Sequence, residues 1–303
     1  MKKAGAGFAP AMDEKKQSMR TRLSASPGLL LFAVVLSAAS VPRLRTVDEK
    51  TSRPTDPLPQ ILAKTKEYCA RVATASLYFV CRETIDERQY DPPLQMFLMT
   101  STRPPSFVIK ISLEYDYQLI GSGDAVEEKR VLFKENGKPK NESNAVLKTN
   151  LYKHKYLVFG PVGILGEFYQ PRHVYKYLGE DVVEKEKTFL IEAGPTGPPE
   201  PNLLYGKVWV RQRDFAIVKI EWDQHSLGNF ETVRHTAEIL GRDIEPRVSI
   251  VGYYGIEKNG LRFVDRLTVR EDYECRLGIL RASETRVFYK DYKFFRVETE
   301  VRY

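Results

Sequence analysis

Histidines are the residues in this chain best suited to acid–base or metal chemistry, and there are four of them: His154, His173, His225 and His235. None is followed by a second metal ligand two or four positions later, so their spacing predicts no metal site. The sequence also lacks a Gly-x-Ser-x-Gly nucleophile motif, a phosphate-binding loop and a dinucleotide fingerprint. Its carboxylates alternate with Lys and Arg, which is typical of solvated strand faces. We therefore predict no catalytic residue, no metal and no cofactor.

The N-terminal segment 19–39 has the three parts of a secretory signal peptide. Arg20 and Arg22 form its charged region, and residues 29–39 (LLLFAVVLSAA) form an uncharged stretch too short to cross a membrane. Small residues end this stretch and suit cleavage after Ala39. A buried N-terminal helix is the alternative, but nothing amphipathic surrounds the stretch. We therefore expect an exported protein, periplasmic or secreted, that is soluble after cleavage.

The residues around the signal peptide set the remaining boundaries. Because the charged region is long if translation begins at Met1, we expect Met19, or alternatively Met12, to be the true start and residues 1–18 to be a misassigned or disordered extension. Residues 41–59 carry four prolines and alternating charge, which is typical of a linker, and we place the linker at 40–56. No later boundary divides the chain, so 57–303 is predicted to be a single domain.

The net charge of +7 comes largely from the N-terminus. The chain has 47 Lys and Arg against 40 Asp and Glu, and residues 1–42 alone hold six of the former and two of the latter. The rest of the chain is near neutral, which argues against a nucleic-acid partner.

Three cysteines are too few for a disulfide-rich scaffold, but two of them suit one disulfide in an oxidising compartment. Eleven residues separate Cys69, near the end of a predicted first helix, from Cys81, on a predicted first strand. A disulfide between them would fasten helix to sheet and contribute about 3 kcal/mol through its short loop. The alternative is a pair of buried free thiols. Cys275 lies beside charged residues and is predicted to stay free.

Strict alternation predicts that most of the domain is β-strand. Residues 107–119 place an apolar or aromatic residue at every odd position, including Leu113, Tyr115 and Tyr117. This pattern indicates a long strand with one buried face. Residues 295–303 repeat it.

Turn and helix signals complete the outline. The pair Asn259-Gly260 predicts a tight hairpin with arms over 247–258 and 261–275. Apolar residues at helical spacing predict a first helix directly after residue 56 and another over 229–240.

The strand count limits the fold. About eleven or twelve strands joined by short connections favour one antiparallel sheet. A flat sheet of that size would expose one face, so it should curl into a barrel, a half-barrel filled by its helices, or a sandwich. The predicted fold class is mainly β (α+β), with a large curved antiparallel sheet covered by an N-terminal helix and one or two short helices.

Aromatic residues on two neighbouring predicted strands give the other functional signal. Trp209 and Trp222 fall in the segment GKVWVRQRDFAIVKIEW, where Val218, Ile220 and Trp222 are expected to share one face. Such residues are either core packing or the lining of an apolar cavity on the concave face of a curved sheet.

That segment, a strand with a Trp, an acidic turn and a second strand, resembles an element of periplasmic outer-membrane lipoprotein-sorting proteins. The order of signal peptide, first helix and long antiparallel strands is similar too, and the resemblance covers about residues 57–303. It implies a half-barrel of eleven strands covered by helices, with a cavity that binds acyl chains of lipoproteins or related lipids.

The leading hypothesis is an exported binding or carrier protein whose cavity takes an acyl chain or the lipid of a lipoprotein. The predicted cavity residues are Leu113, Tyr115, Tyr117, Val218, Ile220 and Trp222. One alternative is an envelope sensor or scaffold that binds a protein partner. Another is an exported hydrolase that uses His154, His173 or His235.

Overall fold

The computed structural model describes residues 56–77, 79–90, 107–122, 125–149, 157–198, 203–227, 230–241, 243–276 and 278–295. All of them belong to one compact unit. The predicted signal peptide (19–39), the extension before it and nearly all of the linker lie outside the described residues. So does most of the predicted C-terminal strand (295–303).

Thirteen β-strands and three α-helices make up most of this part of the chain. The strands are β1 (Phe79–Tyr90), β2 (Phe107–Ser122), β3 (Ala125–Glu135), β4 (Lys138–Glu142), β5 (His173–Val183), β6 (Glu186–Pro195), β7 (Gly206–Arg211), β8 (Ile217–Trp222), β9 (Glu245–Tyr253), β10 (Ile256–Lys258), β11 (Leu261–Phe263), β12 (Arg266–Cys275) and β13 (Gly278–Phe294). The helices are α1 (Leu58–Ser76), α2 (Gly160–Leu165) and α3 (Phe230–Leu240). The predicted fold class, mainly β with a few helices, is confirmed.

Eleven of the strands form one antiparallel sheet, in the order β4-β3-β2-β1-β13-β12-β9-β8-β7-β6-β5. The chain enters the middle of the sheet at β1, builds outward to β4, crosses to the opposite edge at β5 and returns to β13 beside β1. In the described part of the chain β4 and β5 do not pair, so the curved sheet stays open. This is the half-barrel arrangement that the sequence predicts.

Of the alternation predicted for 107–119, the part over 113–119 is present in β2, which is 16 residues long, whereas Ile109 is 39% exposed and Ile111 is half-buried. Leu113, Tyr115, Tyr117 and Leu119 are buried, and the residues between them are half-buried. The buried side chains point to the face of the sheet that carries the main apolar core, which we call the inner face.

The hairpin predicted at Asn259-Gly260 is present but shorter than expected. Both residues have positive φ, 53° and 71°, and close the β10–β11 hairpin. The long predicted arms are wrong, because β9 and β12 pair with each other only up to Tyr253 and Arg266. Beyond that pair the N–H of Tyr254 donates to a carbonyl of β8, and β10–β11 leaves the main sheet.

Helix α1 begins after Asp56, whose carboxylate accepts a hydrogen bond from the N–H of Leu58 (3.0 Å). Its buried stripe, which includes Ile61 and Tyr68, contacts α2, β5 and β11. Helix α1 and the crossing segment 157–172, which contains α2, lie over the inner face, and together we call them the cover. None of the described helices is long and apolar enough to pass through a lipid bilayer.

Helix α3 confirms the helix predicted over 229–240. Phe230, Val233 and Ala237 are its buried residues, at the spacing of one helix face. It packs against β9.

Candidate functional site

Five of the six predicted cavity residues lie together in the main apolar core. Each is at most 2% exposed, and they come from β2 and β8. They are Leu113, Tyr115, Tyr117, Ile220 and Trp222. Because β2 and β8 lie in opposite halves of the sheet, the core is continuous across the inner face beneath the cover.

Val218 lies elsewhere, in a separate cluster with Trp209 and Val183. A β-bulge in β8 is the cause, because the register between β7 and β8 skips Val218. The alternation that would place Val218 beside Ile220 and Trp222 is therefore interrupted. The face that the sequence predicts for these three residues is shared by only two of them.

The two core tyrosines of β2 direct their hydroxyl groups to polar partners. The hydroxyl of Tyr115 accepts a hydrogen bond from the N–H of Lys148 (3.2 Å), and that of Tyr117 donates to Glu128 (2.8 Å). Burial raises the pKa of both phenols, so both stay protonated. The apolar lining therefore ends in a polar region toward β3.

A buried ion-pair network forms part of that region, and we call it the Glu83 network. Its members are Glu83, Tyr117, Glu128, Arg130 and Tyr289. Arg130 donates to Glu83 from Nε (2.6 Å) and Nη2 (3.0 Å), and to Glu128 from Nη1 (3.0 Å). The hydroxyl of Tyr289 donates to Glu83 Oε1 (2.9 Å). Every nitrogen of the guanidinium group therefore has a carboxylate partner.

The charges of this network are stabilised by one another. Burial would lower the pKa of Arg130, but the carboxylates of Glu83 and Glu128 outweigh it and raise that pKa, so Arg130 stays charged. The network is not predicted from the sequence, because carboxylates that alternate with Lys and Arg are typical of solvated strand faces. The alternation of β1 does indicate that Glu83 is buried, because Glu83 lies at an odd position like the buried Phe79 and Ile85.

Trp222 lies at the contact between the sheet and the cover. A Cβ added at Gly160 of α2 would lie 2.7 Å from its ring, and one at Gly252 of β9 would lie 3.0 Å from it. Both glycines therefore let the backbone approach the indole closely. The indole N–H is buried and has no hydrogen-bond partner among the described residues. Because such a donor costs about 1–3 kcal/mol, an acceptor oxygen brought by a ligand would be stabilised there.

All three cysteines are described, and none is in a disulfide. The predicted Cys69–Cys81 bond is not formed, because the two thiols pack against different elements. Cys69 on α1 donates to the carbonyl of Pro161 (3.4 Å), whereas Cys81 on β1 interacts with Tyr292 of β13. Burial raises the pKa of both thiols, which keeps them protonated and unreactive. Cys275 is a free, partly exposed thiol.

The histidines of the hydrolase alternative are not brought together within the described residues. His154 lies outside them. His173 is buried at the start of β5, with its ring nitrogens 2.9 and 3.0 Å from the carbonyls of Tyr169 and Leu204. His235 is exposed on α3. Within the same described ranges, no group of three or more His, Cys, Asp or Glu side chains could hold a metal ion.

A cleft of about 320 Å³ lies outside the main core, lined by charged and aromatic side chains. Several of these are already paired. The indole N–H of Trp209 donates to Asp181 (2.8 Å), Lys219 lies 3.9 Å from the centre of the same indole, and Arg266 pairs with Glu184. The hydrogen bond from Trp209 lowers the pKa of Asp181. We interpret the cleft as the packing of the β5–β6 turn against the neighbouring strands.

No protein-family model matches the sequence, and no curated protein matches it significantly. Among solved structures, the chain is similar to a DUF1329 family protein from Desulfovibrio piger, at 12% identity and a TM-score of 0.40, with 81% of this chain and 96% of that chain covered. It is similar to a domain assigned as an outer membrane lipoprotein-sorting protein from Vibrio parahaemolyticus, at 10% identity and a TM-score of 0.42, with coverages of 79% and 94%. A LolA superfamily protein from Nitrosomonas europaea matches at 12% identity and a TM-score of 0.31, with coverages of 80% and 96%. One of these structures carries the name of the lipoprotein-sorting proteins that the sequence resembles.

Proposed function

We propose that this protein is an exported carrier that binds an acyl chain between the inner face of its curved sheet and the cover. The ligand is a lipid or the lipid of a lipoprotein, and the predicted signal peptide (19–39) would direct the protein to the periplasm or the exterior. One observation carries the proposal: the apolar lining of the inner face is continuous from β2 to β8 beneath the cover. Residues 57–303 would act as one domain.

The two parts of the cover are fastened to each other by polar contacts. Lys66 of α1 pairs with Glu167 (2.7 Å), and the side-chain amide of Gln170 donates to the carbonyl of Leu62 (2.9 Å). These contacts support movement of α1 and the crossing segment as one body.

The cover meets the sheet through apolar packing and a few tyrosine hydroxyls. Tyr175 of β5 donates to the carbonyl of Ile164 (2.5 Å), and Tyr254 donates to that of Leu157 (3.2 Å). Apolar contact has no directional requirement. An acyl chain that enters between the cover and the inner face can therefore replace the apolar contacts that the two make with each other. Each methylene buried in this way contributes about 0.8 kcal/mol.

The first test is to purify the protein from its native envelope and to analyse extracted lipid by mass spectrometry. We expect a bound acyl lipid, and we expect the emptied protein to bind a fluorescent fatty acid that unlabelled dodecanoate displaces. Absence of lipid together with no binding of the fluorescent fatty acid would contradict the proposal.

The two tryptophans of the chain provide a sharper test, because they lie in different clusters. In the Trp209→Phe protein, dodecanoate should change the emission of Trp222 beneath the cover. The Trp222→Phe protein is the matched control, and the emission of Trp209 should not change. A response from Trp209 alone would place the ligand outside the core and overturn the proposed site. If neither responds and no lipid is extracted, crosslinking for one dominant protein partner tests the sensor or scaffold alternative.

A further inference from the structure

The β10–β11 hairpin meets the main sheet through a second set of ion pairs, which we call the Arg262 cluster. Its members are Glu186, Arg211, Asp214, Glu257 and Arg262. The side chains of Arg211 and Arg262 are only 1% and 10% exposed, whereas those of the three carboxylates are 26% to 45% exposed. The two guanidinium groups are therefore buried, whereas the carboxylates that pair with them are partly exposed to solvent.

Arg211 donates hydrogen bonds to all three carboxylates. Asp214 accepts from its Nε (2.8 Å) and Nη2 (2.6 Å), and Glu186 accepts from Nη1 (3.0 Å). Glu257 accepts from Nη1 at 3.3 Å. Arg213, at the surface, is a further partner of Glu186 (3.4 Å). The carboxylates of the cluster are therefore committed to other arginines.

Arg262 is left short of acceptors. Its ion pairs with Glu186 and Glu257 are both 3.6 Å long, beyond hydrogen-bond distance. Its Nε and Nη1 are buried and have no hydrogen-bond partner in the part of the chain that the structure describes. A buried guanidinium with unused donors is unfavourable, and an added acceptor of negative charge would relieve it.

Arg262 also stands where the apolar core meets the cover. Its neighbours Leu261 and Phe263 are buried in the main core. Its backbone N–H donates to the hydroxyl of Tyr68 on α1 (2.9 Å). Movement of α1 away from β11 would therefore uncover the apolar inner face beside Arg262.

We propose that Arg262 binds the acidic headgroup, a carboxylate or a phosphate, of an amphiphile whose acyl chain lies on the inner face. This inference rests on the proposed function, since it assigns the headgroup of the same ligand. Guanidinium donors make strong charge-assisted hydrogen bonds to such oxygens. Glu186 and Glu257 accept their hydrogen bonds from Arg211, and their ion pairs with Arg262 stay at 3.6 Å. The site therefore selects anionic amphiphiles over neutral ones of the same chain length.

The test compares dodecanoate with dodecanol, at a pH where the carboxylic acid is ionised. Binding is followed by the emission of Trp222 in the Trp209→Phe protein. We expect dodecanoate to bind at least about tenfold more tightly than dodecanol, because one hydrogen bond to a charged group changes an affinity by about that factor. Adding Arg262→Gln should bring the two affinities together. Adding Arg213→Gln, which removes a surface arginine of the same region, should leave the preference intact.

The ratio of two affinities within one protein is insensitive to a general loss of packing. If Arg262→Gln does not fold, Arg262→Lys replaces it, and its single ammonium group should lower the ratio without changing dodecanol binding. Equal binding of the two ligands by the parent protein, or an unchanged preference in a folded Arg262 variant, would overturn the headgroup assignment and leave the carrier proposal standing. Binding of neither ligand would overturn the carrier proposal itself.

Inorganic phosphate has the same acceptor oxygens as a lipid headgroup but no acyl chain. A second experiment therefore distinguishes a site for a lipid headgroup from a site for a free oxyanion. Thermal unfolding is measured in sodium phosphate and in sodium chloride of equal ionic strength. If the headgroup assignment is right, phosphate raises Tm little or not at all, because without an acyl chain it gains no apolar contact on the inner face. A clear rise in the parent protein that Arg262→Gln abolishes would instead assign the site to a free oxyanion and overturn the lipid source.

Discussion

Two nearly buried arginines, Arg130 and Arg262, have opposite hydrogen-bond environments. The side chain of Arg130 is 7% exposed, and each of its nitrogens donates to Glu83 or Glu128. The side chain of Arg262 is 10% exposed, and two of its nitrogens have no hydrogen-bond acceptor among the described residues. Because satisfied and unsatisfied buried charges differ so much in free energy, the two clusters should differ in what they contribute to stability and to binding.

The difference follows from the elements that hold each cluster. Glu83 lies on β1, Tyr117 on β2 and Arg130 on β3, and these strands are neighbours whose register the sheet fixes. The Glu83 network cannot separate unless the sheet unfolds. Arg262 lies on the β10–β11 hairpin, which is not part of the main sheet and which contacts the cover. The Glu83 network is therefore suited to stabilise the fold, whereas the Arg262 cluster is suited to bind a ligand.

The largest expected difference is in stability after each arginine is replaced by methionine. Arg130→Met leaves the fully buried Glu83 without its cation, which should lower the free energy of unfolding by about 3–5 kcal/mol. Arg262→Met removes two unsatisfied donors and should change it by less than about 1 kcal/mol, or raise it. Urea unfolding of both variants measures this. Equal losses would contradict the distinction between the clusters.

A matched pair of carboxylates should give a smaller difference in the same direction. Glu128→Gln weakens buried hydrogen bonds to Arg130 and Tyr117, and we expect a loss of about 1.5–3 kcal/mol. Glu257→Gln acts on a side chain that is 45% exposed, and we expect a loss below about 1 kcal/mol. The two variants are compared by urea unfolding at the same pH. A larger loss in Glu257→Gln would reverse the assignment of the structural role.

Much of the fold followed from the sequence because local patterns determined it. The odd-position residues of β2, the helix at 230–240 and the positive φ of Asn259 each depend on a few neighbouring residues. The disulfide prediction failed for Cys69 because its surroundings depend on where α1 docks, and spacing along the chain does not determine that.

The candidate site was harder to predict from the sequence than the fold, since its residues come from distant strands. Parity in β1 indicates that Glu83 is buried, but its partner Arg130 is found only once β3 is known to be two strands away. The bulge that displaces Val218 is not visible in the sequence, because Ile217 and Val218 are both apolar and either could share the face of Ile220. The unused donors of Arg262 depend on the geometry of three other side chains.

Thiol reactivity tests whether the two clusters open separately. Cys69 belongs to the cover and Cys81 to the sheet beside Glu83, and both are buried. In a Cys275→Ser background we expect a thiol reagent to modify Cys69 at least about tenfold faster than Cys81, since local opening needs less free energy than unfolding the sheet. Mass spectrometry of timed samples measures both rates. Equal rates would mean that the cover opens only when the whole domain unfolds.

The smallest expected effect is the acid sensitivity of the Arg262 cluster. Burial would raise the pKa of Asp214, but its hydrogen bonds from Arg211 and from the N–H of Ala216 outweigh it and lower that pKa. A carboxyl whose pKa is lowered by folding contributes stability above its unfolded pKa of about 4, and this contribution is lost as the pH falls through the folded value. The parent protein should therefore lose more stability between pH 5 and pH 3 than Asp214→Asn does, by a modest amount because Asp214 is partly exposed. Urea unfolding at the two pH values measures the difference, with Arg213→Gln as a control that leaves the Arg211–Asp214 pair in place. If Asp214→Asn follows the parent at both pH values, the carboxylate is not held by Arg211 in solution and is free to pair with Arg262, which would make the two clusters alike.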